Sequence, residues 1–237
     1  MESLQKDFTI ENVYPWGRSF DEYQRMFALS AEDLERKILG CADGPAAFNA
    51  EMHRQGKRVV SFDPLYQFDA ASIRRRVNAT APEMIRQAKE NAHRFVWERI
   101  KSPEHMAELR LGSMEIFLSD YEIGKAQGRY VNESLPELTF HDAQFDLALC
   151  SHFLFLYSHE LTLDFHLQAI RELSRAAHEV RIFPVLGMDG KISPHVETVI
   201  EETRCAGFEA DVCSVDYEFQ RGGNRMMRVR HKVGSHC

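Results

Sequence analysis

With 237 residues, 44 % hydrophobic and 27 % charged, the chain has an ordinary globular composition and length enough for one large domain or a domain with an inserted cap. A formal charge of −7 argues against a broad basic surface for nucleic acid, and no run of about 18 apolar residues suggests a membrane span. The N-terminal MESLQKDFTIENVY lacks the apolar core and cleavage site of a secretory signal, and five scattered cysteines without a C-x-x-C pair suit reduced thiols in a cytoplasm.

Residues 1–36 read as an N-terminal helical lid. The stretch VYPWGRSFDEY gathers Tyr14, Trp16, Gly17, Arg18 and Tyr23 around the start of a helical pattern over 19–36. Ser19 and Glu22 form a capping-box pair, Phe20, Tyr23, Met26 and Phe27 follow helical spacing, and Ser30 with Asp33 marks a second short helix. Either the aromatics simply fill gaps, or this segment folds over a ligand site.

A core domain spans 37–237. KILGC is a compact apolar run ending in a Gly-containing turn, as expected of a buried strand. PAAFNAEMHRQG follows as a helix, with Pro45 suited to its first turn and Gly56 to its end, and KRVVSFDP is the next strand. Strand, turn, helix and strand make a βαβ unit and hence a parallel sheet.

Residues 67–126 are too long for a simple crossover and read as a helical cap inserted at the sheet's working end. The strongest helical signal is PEMIRQAKENAHRFVWERI, with Met84, Ile85, Ala88, Ala92, Phe95, Val96 and Ile100 along one side. Two shorter helices are expected in SPEHMAELRLGSMEIFLSDYEIGK. Across 67–110, nine Lys/Arg, including Arg74, Arg75 and Arg76, stand against six acids. Such a face would attract an acidic substrate, or is simply a solvated helix surface.

GRYVNES and FDLALCSHFLF resume the strand pattern. TLDFHLQAIRELSRAA reads as a helix, HEVRIFPVL as a strand and PHVETVIEETRCAGF as a helix. ADVCSVDYEF and RMMRVRHKV, joined by QRGGN, read as an antiparallel hairpin, and the final GSHC as frayed.

The turn after KILGC supplies backbone N–H groups and a helix N-terminus, a natural seat for an anionic group. Dinucleotide loops want glycine at i, i+2 and i+5, whereas here Gly40, Ala42 and Gly44 are followed by Pro45. That spacing argues against NAD or FAD. It is nearer the shorter turn that cradles the methionine part of S-adenosylmethionine. Asp63, 23 residues after Gly40, ends the second strand, where a carboxylate accepts hydrogen bonds from a ribose diol. Pro64 and Leu65 would offer apolar surface to an adenine.

In order and spacing, ILGCADGPAAF, VVSFDP, SLPELTFHDAQFDLALCSHFLF and AIRELSRAAHEVRIFPVL resemble the successive motifs of class I S-adenosylmethionine-dependent methyltransferases. The resemblance covers most of residues 35–235 outside the insertion. It implies an α/β, Rossmann-like, mainly parallel seven-stranded sheet with an antiparallel C-terminal hairpin. It also implies that Gly40, Cys41, Ala42 and Gly44 hold the methionine moiety and Asp63 the ribose. Val131 to Ser134 would border the adenine, and Ser151 and His152 would face the transferred methyl. The acid usual two positions before the first glycine is replaced by Ile38, and the adenine-contacting acid aligns with Val131, leaving Asn132 or Glu133 to substitute. Arg18 would pair with the methionine carboxylate, with lid aromatics facing the sulfonium.

His152, His159 and His166 fall on a strand end, a turn and a helix, so their seven-residue spacing does not make a metal site. His152 reads either as a general base for the incoming nucleophile or as a histidine bonded at a strand end, and Tyr157 shares that ambiguity. The function expected is methyl transfer from S-adenosylmethionine to a small-molecule nucleophile, without nucleic-acid or membrane partners and in the cytoplasm. Two alternatives stand beside it: a binding or regulatory protein that keeps the fold without catalysis, and an NAD-dependent Rossmann enzyme.

Overall fold

The computed structural model describes residues 15–232. Tyr14, the rest of the lid's first residues and the C-terminal GSHC lie outside that range. One sheet holds β1 (Ile38–Cys41), β2 (Val59–Phe62), β3 (Tyr130–Val131), β4 (Phe145–Ser151), β5 (Ala177–Phe183), β6 (Phe208–Ser214) and β7 (Arg225–His231). Their order is β3-β2-β1-β4-β5-β7-β6. Strands β1 to β5 pair in parallel, and β7 inserts antiparallel between β5 and β6. This is the seven-stranded arrangement that the resemblance implied. The order reverses between β1 and β4, whose Cys41 and Cys150 are register partners at their carboxyl ends. A parallel sheet opens a crevice at such a switch point.

Short β1 is buried at every position, as a central strand covered on both faces must be. α1 (Phe20–Met26) starts where the capping box predicts. The Ser19 side chain accepts from the Glu22 N–H, and the Glu22 carboxylate accepts from the Ser19 N–H at 2.9 Å. α1 ends sooner than the 19–36 pattern suggests, because Ala28 turns to φ 46°, and a single 3-10 turn, Asp33–Glu35, follows. α2 (Phe48–Arg54), α5 (Leu163–Ala176) and α6 (Val196–Cys205) complete the crossovers.

The insertion departs from its sequence reading. α3 runs Ala70–Glu90 with Pro82 inside it, and α4 is one helix, Pro103–Ala126, not two. Asp69 caps α3, accepting from the Ser72 N–H at 2.6 Å, so the helix begins well before residue 82. It stops at Glu90 because the following chain is recruited elsewhere. Phe95 stacks on Phe219 at 4.7 Å, and the Val96 N–H donates to the Phe219 carbonyl at 2.8 Å. Here tertiary contact overrides a local helical period. Four of the nine basic residues in 67–110 make surface ion pairs: Arg74 with Glu115, Arg86 with Glu83 and Glu90, Lys89 with Glu104 and Arg99 with Asp216. Such exposed pairs stabilise little.

Two strand readings also shorten. β3 keeps only Tyr130 and Val131 of GRYVNES. The hairpin is joined not by QRGGN alone but by residues 215–224, since Ser214 pairs with Arg225. Tyr217 and Phe219 are drawn out of β6 and buried in a cluster with α1 and the 67–126 insertion. Four of the five cysteines are described and free, and among the described residues no helix is long and apolar enough to cross a membrane.

Ala42, at the centre of the first loop, has φ 55°, the left-handed region in which a Cβ costs roughly 1–2 kcal/mol. Replacing it with glycine relieves that strain but adds about 0.4–1 kcal/mol of unfolded-state entropy. Ala42→Gly should therefore leave stability unchanged or raise it by about 1 kcal/mol, read from urea midpoints. A loss of about 1 kcal/mol, as for an ordinary Ala-to-Gly change, would contradict the strained turn.

Candidate active site

The site is built on the loop that leaves β1. Asp43 lies beneath it, and a Cβ added to Gly40 would come 1.8 Å from Asp43 Oδ2, so glycine is required there for close approach. Asp43 is buried and doubly bonded: Tyr23 Oη donates to Oδ1 at 2.8 Å and Ser61 Oγ to Oδ2 at 2.6 Å. Burial, which outweighs these two bonds, pushes its carboxyl up to about 6. One acid thus ties the loop to α1 and to β2.

Asp63, directly after β2, faces the same loop. Its Oδ2 accepts from the Gly44 N–H at 2.9 Å and its Oδ1 from the Leu65 N–H at 2.8 Å. Burial pushes this carboxyl up to about 6 as well. Gly44 has φ 51°, its carbonyl accepts from Tyr66 Oη at 2.8 Å, and among the described residues no heavy atom beyond its chain neighbours lies within 4 Å of the place a Cβ would take. The loop is therefore pinned from one side and open on the other.

The segment leading into α1 lies on the loop's far shoulder. A Cβ on Gly17 would sit 2.2 Å from the Pro45 carbonyl oxygen, and the Ala47 N–H donates to the Arg18 carbonyl at 2.9 Å. Arg18 Nη1 donates to the Trp16 carbonyl at 2.7 Å, while its buried Nε has no hydrogen-bond partner among the described residues. Burial and the neighbouring Arg110 lower the Arg18 pKa. Tyr23 stacks on Phe48 at 4.7 Å, fixing α1 against α2.

At the end of β4, Ser151 Oγ and His152 Nδ1 are 3.0 Å apart. The His152 backbone has φ 51° and donates its N–H to the Phe183 carbonyl at 2.7 Å. Burial, then the charges of Arg18 and Arg110, hold its imidazole well below the ordinary histidine value. Tyr157 stands at the rim, partly exposed, with its pKa raised by burial first and within electrostatic reach of Arg18 and Asp63.

The expected residues thus divide. Arg18, Gly40, Ala42, Gly44, Asp63, Ser151 and His152 gather around the ends of β1, β2 and β4. Cys41 points into the core beside Cys150, and Leu65 is buried with Tyr66 and Ile73, so each contributes backbone rather than side chain to the loop. Ile38, at the position of the missing acid, is likewise buried in the core. Asn132 is exposed just past β3, where the Asp63 N–H reaches the Val131 carbonyl at 3.2 Å. Glu133 is engaged by Thr139, whose N–H donates to it at 3.1 Å, and Ser134 bridges to Glu137. Pro64 opens the 3-10 turn after Asp63. His166 is buried between the Thr162 and Leu154 carbonyls, at 2.8 and 3.0 Å, and among the described residues no group of three His, Cys, Asp or Glu gathers to hold a metal.

Sequence reasoning missed Asp43, Ser61, Arg110 and Tyr217, and saw in Glu22 only a cap. Glu22 is buried at the centre of a polar cluster: Arg110 Nη1 is ion-paired to it, and Tyr217 Oη donates to it at 2.7 Å. Although burial opposes ionisation, the Arg110 charge and hydrogen bond bring the Glu22 carboxyl down to about 2. Asp43 carried a signal in hindsight, as an acid between two loop glycines. Arg110 and Tyr217 carried none, because they reach the site from α4 and from the β6–β7 connection.

No family model matches the sequence. Magnesium protoporphyrin IX methyltransferase from Synechocystis PCC 6803, crystallised with bound SAM, aligns at TM-score 0.45 and 10 % identity, over 90 % of this chain and 91 % of that one. A TehB-like SAM-dependent methyltransferase from Corynebacterium glutamicum aligns at TM-score 0.44 and 14 % identity, over 84 % and 80 %. Likenesses this distant assign no activity. Uncharacterized protein MJ0045 of Methanocaldococcus jannaschii is 32 % identical over 215 residues, 90 % of this chain and 94 % of its own. On that extent of identity the chain belongs to the same family as that archaeal protein.

Proposed function

We propose that this protein binds S-adenosylmethionine and transfers its methyl group to a small-molecule nucleophile. The observation that carries this reading is the junction of the first loop with Asp63, through the 2.9 Å bond from the Gly44 N–H. It puts an amide-lined turn beside a carboxylate suited to a sugar diol, at the sheet's switch point.

The residues present fit such a ligand. The space beside Gly44 admits a group that approaches the backbone closely. Asp63 offers a carboxylate for a ribose diol, with Pro64 and Asn132 flanking it. The unpartnered Arg18 Nε suits the methionine carboxylate, and Gly40 to Gly44 would line that end. The ligand supplies an electrophilic methyl on a sulfonium; the chain supplies placement and water exclusion.

His152 is the candidate base, with Tyr157 at the rim. Because its pKa is held low, the imidazole is neutral at physiological pH but weakly basic. It suits a thiol, an amine or an already acidic hydroxyl better than an alcohol of high pKa. Two features favour the binding-protein reading: the buried Ile38, which leaves the ligand's ammonium without a usual partner, and the left-handed Ala42 in the loop.

Calorimetry with S-adenosylmethionine and S-adenosylhomocysteine tests the proposal, together with mass spectrometry of the purified protein. Saturable binding is expected, weakened about tenfold by Arg18→Ala, the worth of one charge-assisted hydrogen bond. Absence of binding to either compound would overturn it, and binding without turnover across nucleophile classes would favour the non-catalytic reading.

A further inference from the structure

Arg110 projects from α4, and its side chain is fully buried. One nitrogen, Nη1, is committed to Glu22, whose other oxygen is taken by Tyr217. The remaining donors, Nε and Nη2, have no hydrogen-bond partner among the described residues. These two nitrogens form one edge of the guanidinium plane with N–H bonds pointing the same way. That edge binds a carboxylate in bidentate fashion. A buried, unsatisfied guanidinium edge is costly, and native structures rarely keep one without a use.

Its surroundings favour a singly charged anion. Arg110 is joined to His152 through packed side chains: it contacts Glu22, Glu22 accepts from the Tyr217 hydroxyl, the Tyr217 ring meets Phe183 at 5.7 Å, and Phe183 meets the His152 ring at 5.5 Å. Among the described residues Glu22 is the one carboxylate in contact with Arg110, and Asp43 and Asp63 are bonded on the loop side through Tyr23, Ser61, Gly44 and Leu65. Among the described residues, two guanidinium groups, those of Arg110 and Arg18, around one carboxylate leave one positive charge. The amino-acid end that Arg18 would hold leaves that sum unchanged, because its ammonium offsets its carboxylate. The Phe219 ring, 5.9 Å from the Arg110 guanidinium, makes the setting apolar otherwise. A monoanionic carboxylate balances this cluster, whereas a phosphate dianion would over-neutralise it in a buried place.

We propose that the acceptor is a small organic acid whose carboxylate docks on the Nε–Nη2 edge of Arg110, beside His152. The inference rests on the methyl-transfer reading and names its substrate class. A carboxylate held by a guanidinium is a weakened nucleophile, so it anchors the acceptor and the methylated atom lies elsewhere on the molecule.

Thermal unfolding, with and without saturating S-adenosylhomocysteine, provides the test. The probes are benzoate, 4-hydroxybenzoate and 3-mercaptopropionate, their primary amides and inorganic phosphate, all at matched ionic strength. At least one acid should raise the midpoint by about 2 °C or more while its amide does not. Arg110→Lys keeps a charge for Glu22 but loses the fork, and should cut that shift by half or more. The double variant Arg110→Met/Glu22→Gln, which removes the ion pair as a unit, should abolish it. Equal shifts from acid and amide, an acid shift that survives both variants, or a response to phosphate alone would overturn the proposal, as would no shift from any acid. A missing response to S-adenosylhomocysteine would instead count against the methyl-transfer reading, and the acid-against-amide comparison in its absence still decides this one.

Discussion

Asp63→Ala should weaken S-adenosylmethionine binding about 100-fold while leaving the fold intact. Two charge-assisted hydrogen bonds to a ribose diol are together worth about 3 kcal/mol or more, which corresponds to that factor. The side chain is not a pillar of the fold. Its partners are two backbone N–H groups at a loop and a 3-10 turn, and water can replace it there. Calorimetry on the variant reads the affinity, and far-ultraviolet circular dichroism checks that the sheet survives. The same carboxylate gives the binding a pH signature. Burial raises its pKa to about 6, so it is mostly ionised at neutral pH and becomes protonated as pH falls through 6. Affinity should therefore decline below about pH 6, by roughly tenfold per unit if only the ionised form accepts the diol. Asp43 titrates over the same range behind the loop, so Asp63→Asn, which cannot ionise, separates the two. Affinity independent of both residue 63 and pH would mean the sugar is not bound there.

Glu22→Ala should be among the most destabilising single substitutions, costing about 3–5 kcal/mol. It leaves the buried Arg110 guanidinium without its counter-charge and removes the acceptor of the Tyr217 hydroxyl and the Ser19 N–H. It also takes away the carboxylate that closes the α1 capping box. Combining it with Arg110→Met should recover much of the loss, because the penalty lies mainly in the stranded charge. Urea unfolding of the two single variants and the double measures both statements, and additive losses would show that the pair is not the unit of stability.

These groups also shape stability against pH. For Glu22 the folded pKa, about 2, lies below the unfolded value, so its contribution is present above about pH 4.5 and is lost as pH falls toward 2. For Asp43 and Asp63 the folded pKa, about 6, lies above the unfolded value. Their contribution is full below about pH 4 and is lost as pH rises through 6. By themselves Asp43 and Asp63 would make the ligand-free protein more stable near pH 5 than at neutral pH. The buried His152 and His166, held neutral while the unfolded chain's histidines take protons below about pH 6.5, act in the opposite sense. The carboxyl contribution is therefore read as a difference curve, the stability of the wild type minus that of Asp63→Asn against pH. Bound ligand at Asp63 should reverse the neutral side of that curve, since it selects the ionised carboxylate.

The chain's local grammar determined the frame. Alternating apolar runs, glycine turns and amphipathic stretches set a βαβ start, the parallel core and the antiparallel end, because period and turn chemistry are properties of neighbouring residues. The Ser19–Glu22 box and the placement of Gly40, Gly44 and Asp63 were legible for the same reason: each lies at an element boundary that sequence marks. What only the tertiary structure decided is where distant elements meet. The helix expected over 82–100 gave way at Glu90 because Phe95 found Phe219, more than a hundred residues away. Ala42 was readable as a departure, but its left-handed backbone was not, since that follows from Asp43 being drawn under Gly40 by Tyr23 and Ser61. The Arg110–Glu22–Tyr217 cluster joins the cap, the lid and the last hairpin. Its members look like ordinary surface-capable polar residues in sequence, and only burial, a property of the assembled fold, gives their charges chemical weight.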